Sequence, residues 1–159
     1  SYEIARISER KETLFREAVQ VHVSLLPGVE TWLERLRQQG YRQAIASSAP
    51  RANIEVLLRV LNIGPYFQAI VSAEDVTKGK PNPAIFLNAA VALGVSPVRC
   101  VVVEDAVAGV QAAHRAGMVC LAVATTQTAE RLTDADLVVE RLTDLADDAF
   151  ERLLTLRSG

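Results

Sequence analysis

Apolar residues along this chain fall into short unbroken runs, separated by stretches with helical periodicity. Ala69-Ile-Val-Ser72, Cys100-Val-Val-Val103, Val119 to Val123 and Leu137 to Val139 are runs of the first kind. Continuous apolar runs of this length are what strands buried on both faces of a parallel sheet look like. Arg42 to Ser47 reads as a further short strand. Between the strands, Val29 to Gln39 places Trp32, Leu33 and Leu36 on one face of a helix that Gly40 ends. A helix opening near Pro50 carries Ile54, Leu57, Leu58 and Leu61. The pattern predicts further helices over Ala84 to Leu93, Val107 to Ala116 and about Asp144 to Leu156. Tyr2 to about Ser24 reads as one leading helix, broken by Leu26-Pro27-Gly28. Strands alternating with helices predict an α/β fold, a three-layer Rossmann-like parallel sheet with helices on both faces.

Half of the 159 residues are hydrophobic, enough for the core of one ordinary domain. A formal net charge of −2 gives no reason to expect a nucleic-acid partner. No apolar stretch approaches the roughly 20 residues that span a bilayer, so no membrane partner is expected. The polar opening Ser1-Tyr-Glu-Ile-Ala-Arg does not read as a signal peptide. Cys100 and Cys120 read as buried reduced thiols, and a cytoplasmic location follows. His22 and His114 both fall on predicted helices and read as surface or boundary residues.

Three predicted strand ends carry chemistry. Right-handed crossovers place successive carboxyl ends on one edge of a parallel sheet, where such folds bind ligands. The first end is Ser47-Ser48. Hydroxyls and backbone amides entering a helix make an anion site, although a serine there also serves as an ordinary N-cap. The second is Lys80, in a loop stiffened by Pro81 and Pro83. A fixed ammonium neutralises a phosphoryl group as a point charge, whereas Lys78 reads as a solvated surface lysine. The third is Glu104-Asp105. Adjacent carboxylates repel, and a hard cation with oxygen ligands holds both ionised; capping the following helix is the competing use of the same charges.

In this order the three segments resemble the haloacid dehalogenase-like superfamily, in its β-phosphoglucomutase-like branch of phosphatases and phosphomutases. Ile45-Ala-Ser47-Ser48 is similar to the strand ending in a phosphate-binding Ser or Thr. Lys80-Pro-Asn-Pro-Ala-Ile-Phe86 is similar to the lysine motif. Val101-Val-Val-Glu104-Asp105-Ala-Val-Ala-Gly109, continuing to Gly117-Met, is similar to the acidic motif. Asp134-Ala-Asp-Leu-Val-Val139 matches the last-strand pattern.

The resemblance implies Mg²⁺-dependent phosphoryl transfer from a small phosphorylated metabolite. It implies that Glu104 and Asp105 hold the metal and that Lys80 balances charge. It also implies that Ser47 hydrogen-bonds phosphate, with Ser48 as a second candidate. The family's nucleophile motif, a strand ending in Asp-x-Asp-Gly-Thr, has no counterpart here: the sole Asp-x-Asp, Asp134-Ala-Asp136, precedes a strand and is followed by Leu137. The expectation is therefore a C-terminal part of such a protein. Residues 1–26 would be the last helix of a cap and 27–159 the core domain, without the central nucleophile strand and inactive alone. Three ways of filling the gap are open: a missing N-terminal fragment, self-association with a swapped element, or a closed-up sheet. A non-catalytic remnant of the same fold that binds metal or phosphate, or only a protein partner, and a receiver-like module are the rival readings.

Overall fold

The computed structural model describes residues 9–18 and 23–156. Its elements follow the order α1 (Val29–Gln38), β1 (Ala44–Ala46), α2 (Arg51–Val60), β2 (Ala69–Val71), α3 (Ala84–Leu93), β3 (Val101–Glu104), α4 (Val107–Arg115), β4 (Val119–Val123), β5 (Leu137–Val139) and α5 (Ala149–Thr155). All strand pairs are parallel. They form two groups, β1–β2 and β3–β4–β5, and among the described residues no ladder joins β1 to β3. Of the three ways of filling the gap, a closed-up sheet is thus not the one found among the described residues.

Side-chain alternation explains the layers, since successive residues of a strand face opposite sides. Ala44, Ala46, Val71, Val102, Cys120, Ala122 and Val138 face α3 and α4, where they join one continuous core with Ile85, Phe86, Val110 and Met118. Many of these sheet residues are small, which lets the two helices sit close. The opposite face holds two separate clusters. Val101, Val119, Leu121, Leu137 and Val139 pack on Trp32, Phe150 and Leu153. Ile45 and Ile70 pack on Ile54, Leu58 and Leu33. Helix α1 straddles them, with Trp32 and Leu36 over one strand group and Leu33 over the other. Val103 lies on this divided face of β3, the strand whose edge away from β4 carries no ladder among the described residues, and is 48% exposed, although it is a strand valine.

The structure corrects some boundaries. The expected last helix from Asp144 begins only at Ala149. Leu142–Asp144 forms a 3-10 turn, and the Leu142 carbonyl accepts both the Leu145 N–H that closes this turn at 3.3 Å and the Trp32 indole N–H at 2.9 Å. The strands predicted from Arg42 and to Ser72 are trimmed to three residues each. Part of the Tyr2-to-Ser24 helix lies outside the described residues, as does His22; within them, 9–18 is helical and 23–26 is not. The 9–18 segment docks on α2 through Asn53, whose buried side chain donates to Glu12 and accepts from Arg16 Nη1 at 3.0 Å. No helix among the described residues is long and apolar enough to cross a membrane.

Candidate active site

Lys80 lies on the approach to α3, and the loop around it is tied down from several directions. Its peptide bond to Pro81 is cis. The Pro81 carbonyl accepts Arg115 Nη1 from the end of α4 at 3.1 Å, and Asn82 Oδ1 accepts the Ala84 N–H at 3.0 Å. The Lys80 ammonium stands 4.8 Å from the centre of the Phe86 ring and forms an ion pair with Glu104. Both side chains are largely withdrawn from water, 16% and 8% exposed. Such a pair survives burial only when its remaining hydrogen-bonding capacity is met. Here Glu104 Oε2 accepts the backbone N–H groups of Asp105 at 3.0 Å and Ala106 at 3.2 Å. Glu104 thus closes the turn into α4 and holds Lys80 with one carboxylate.

Gly109 makes this possible. A Cβ at that position would overlap the Glu104 carboxylate. The glycine in the first turns of α4 is required by close approach, not by an unusual backbone angle.

Asp105 has a different environment. Thr126, in the loop after β4, places its Oγ1 2.9 Å from Asp105 Oδ2 and 3.0 Å from the Asp105 backbone oxygen. No other hydrogen bond reaches this carboxylate among the described residues.

Ser47 ends β1, its N–H donating to the Val71 carbonyl at 2.9 Å. Its Oγ accepts the Ala49 N–H at 3.1 Å. Ser47 is not the N-cap of α2, because Pro50 holds that position. The Arg51 N–H at the start of α2 instead meets the Glu74 carboxylate at 3.1 Å. Next to it Asp75 accepts the Ser72 N–H and hydroxyl and the Arg51 guanidinium, each at 2.8 Å. These donors, the Ser72 amide foremost, hold the Asp75 carboxyl below its usual range. Ser48 is exposed. The structure therefore joins Lys80 to Glu104 and sets Asp105 beside them, while Ser47 and Ser48 end another strand without touching that group.

Asp136 does structural work. Its Oδ2 accepts the Cys120 N–H at 2.7 Å and lies 3.0 Å from His114 Nε2, tying β4, α4 and the start of β5 together. Cys120 is fully buried, and burial together with the Glu104 and Asp136 charges pushes its thiol up to about 12. Cys100, expected to be buried too, is only half-buried.

Oxygen donors suit a hard cation. Mg²⁺ characteristically takes one or two carboxylates and keeps several waters. Asp105 fits that use directly. Glu104 is already committed to Lys80 and two amides. Among the described residues no cluster of three or more ligating side chains forms, so Asp105 would supply only part of a cation's shell.

Thr126, Phe86, Arg115 and the seat provided by Gly109 have no assigned task in the sequence reading. Thr126 carried a usable signal, since Thr125-Thr126 follows a predicted strand end just as Ser47 and Asp105 do.

The profile of the haloacid dehalogenase-like hydrolase family matches residues 3–123. The chain belongs to this family. Within the haloacid dehalogenase-like hydrolases, it is 42% identical over 121 residues to β-phosphoglucomutase of Bacillus subtilis, covering 76% of this chain and 51% of that one. Its fold superposes on the crystal structure of β-phosphoglucomutase from Clostridium difficile with a TM-score of 0.88 at 29% identity, covering 98% of this chain and 69% of that one. A hydrolase of the family from Deinococcus radiodurans, solved with bound phosphate and sodium, matches with a TM-score of 0.79 at 30% identity, covering 90% and 66% of the two chains. The chain thus falls in the phosphoglucomutase-like branch and spans about half the length of the curated relatives it matches.

Proposed function

We propose that this chain carries the charge-balancing and metal-holding part of a Mg²⁺-dependent phosphoryl-transfer site for a small phosphorylated metabolite. The observation that carries the reading is the buried Lys80–Glu104 pair set beside Asp105 at the end of β3. Lys80 is fixed by Glu104 and Phe86, so its charge stands in place before substrate arrives, and preorganised charge of this kind lowers the barrier to phosphoryl transfer. Asp105 holds the cation, which when bound neutralises charge on the phosphoryl oxygens. The Ser47 hydroxyl, which accepts the Ala49 N–H and keeps its own proton to donate, binds a phosphate oxygen at the end of β1, with Ser48 at the mouth of the same turn. The nucleophilic carboxylate comes from a strand outside this sequence, seated between β1 and β3. The absence of a ladder between β1 and β3 among the described residues and the exposed Val103 support that placement. The helical segment 9–18 belongs with the cap on this reading. The two free cysteines fit a reducing, cytoplasmic setting.

The test is hydrolysis of para-nitrophenyl phosphate with Mg²⁺. Two proteins are compared, the 159-residue chain and the same chain extended by an N-terminal segment carrying an Asp-x-Asp-Gly-Thr strand. Turnover only by the extended protein, lost in Asp105→Asn, is the expected result. Turnover by the 159-residue chain, abolished by Asp105→Asn, overturns the external nucleophile. An extended, folded protein that turns over nothing, with para-nitrophenyl phosphate or a panel of sugar phosphates, overturns the reading itself.

A further inference from the structure

We propose that Thr126 is a positioning residue for the divalent cation, its hydroxyl fixing the Asp105 carboxylate in the orientation that receives the metal. The inference rests on the reading of Asp105 as a metal ligand.

In the β3–β4 register Glu104 pairs with Ala122, so Asp105 stands level with Val123, the last residue of β4. The chain then turns tightly, the Thr125 N–H donating to the Val123 carbonyl at 2.8 Å. That turn brings Thr126 back to Asp105. Its Oγ1 reaches Oδ2 at 2.9 Å and the backbone oxygen of the same residue at 3.0 Å. A hydroxyl has one proton, which it gives to one oxygen at a time or shares between both. Given to Oδ2 or shared, that proton ties the carboxylate to an oxygen that also lies against the main chain of Asp105, which restrains the side-chain torsions between them.

The two neighbouring carboxylates differ in how they are held. Glu104 is fixed by an ammonium, two amides and the space that Gly109 leaves. Asp105 depends on Thr126 alone among the described residues. Packing does not explain Thr126, because it is exposed and joins no apolar cluster. Its hydroxyl contacts point to work on Asp105. The demand is specific to the ion: Mg²⁺ requires near-octahedral ligand directions, so a carboxylate free to rotate binds it less well than one held in place.

Mn²⁺, which takes the same oxygen ligands, serves as the probe. The electron paramagnetic resonance signal of free aqueous Mn²⁺ reports binding to the 159-residue chain, and Mg²⁺ is measured by competition. Thr126→Val removes the hydroxyl and keeps the shape, whereas Thr126→Ser keeps the hydroxyl. Thr126→Val is expected to weaken binding about tenfold, the low end of what losing a ligand's hydrogen-bond partner costs. Thr126→Ser is expected to bind like the parent, and the thermal midpoints of all three should coincide. Binding by Thr126→Val equal to or tighter than the parent overturns the proposal, as does a Thr126→Ser variant as weak as Thr126→Val. Asp105→Asn separates the two levels. If it loses the ion while Thr126→Val keeps it, only the role of Thr126 falls. If it binds as the parent does, the assignment of Asp105 falls and the proposal with it.

Discussion

The Glu104 carboxylate occupies the space that a Cβ on Gly109 would need. A residue at the end of β3 and a residue in α4 therefore share one volume, and only glycine permits it. Gly109→Ala should push the carboxylate out of its seat and away from Lys80. Moving the tip of a side chain keeps the overpacking itself near the low end of about 1–3 kcal/mol. The carboxylate also leaves a buried cation and two amides, so the loss of stability should approach the up to about 3–5 kcal/mol that breaking a buried pair costs. The loss of function should be large. In the extended, active protein the diagnostic is non-additivity: once Gly109→Ala has broken the pair, Lys80→Ala should reduce turnover little further, as contacting residues acting through one interaction do. Additive losses would show that Gly109 does not act through Glu104.

Removing Lys80 has two effects that separate experimentally. Turnover of the extended protein should fall by about 10²–10³, the usual cost of one electrostatic group at a reacting centre. Stability should fall as well, because Glu104 is left 8% exposed without its cation; breaking a buried pair costs up to about 3–5 kcal/mol. Adding Glu104→Gln to Lys80→Ala should recover the stability and none of the turnover. Lys78 is exposed, and Lys78→Ala should leave denaturant midpoint and turnover unchanged.

The two carboxylates should differ toward metal. Asp105→Asn should weaken Mg²⁺ binding by calorimetry far more than Glu104→Gln does, because Glu104 already spends its charge on Lys80 and its second oxygen on two amides. Comparable losses in both variants would mean that Glu104 leaves Lys80 to join the cation's shell.

Cys120 supplies a pH dependence. Its thiol keeps its proton in the folded chain up to about 12, against an ordinary value near 9.0. Above the ordinary value the unfolded chain loses that proton and the folded chain retains it. The contribution is thus fully present below about pH 9 and is lost as pH rises toward 12. Urea titrations across this range should show a steeper decline for the parent than for Cys120→Ala. The two slopes, not the two absolute stabilities, carry the comparison, since the alanine also loses packing. The same burial should leave Cys120 unreactive toward thiol reagents in the native state.

Periodicity and strand-end logic read much of this molecule from its residues. The bounds of α3, β4 and β5 follow directly from unbroken apolar runs and from Pro83 ahead of Ala84. The start of α5 did not follow: Leu142–Asp144 closes a separate 3-10 turn ahead of it, and that turn is anchored by the Trp32 indole on the Leu142 carbonyl, a contact made across a long stretch of chain. The site shows the same division. Lys80, Glu104 and Asp105 are legible because each sits on a strand-end loop with a charge to explain. That Glu104 pairs with Lys80 while Asp105 pairs with Thr126 is set by which side chain reaches which, and one-dimensional spacing does not contain that. Phe86, given no task by the sequence, joins the core and also lies beneath the Lys80 ammonium.

The undivided apolar layer beneath α3 and α4 has a consequence for how the chain comes apart. Ala44 and Ala46 of one strand group and Val102, Cys120 and Ala122 of the other contribute to the same core, so neither group can leave without stripping the helices that cover its neighbour. Local opening should therefore begin on the divided face, around α2 and its separate cluster. The amides of β1 and β4, though never hydrogen-bonded to each other, should exchange with solvent only in a single shared opening of the whole domain.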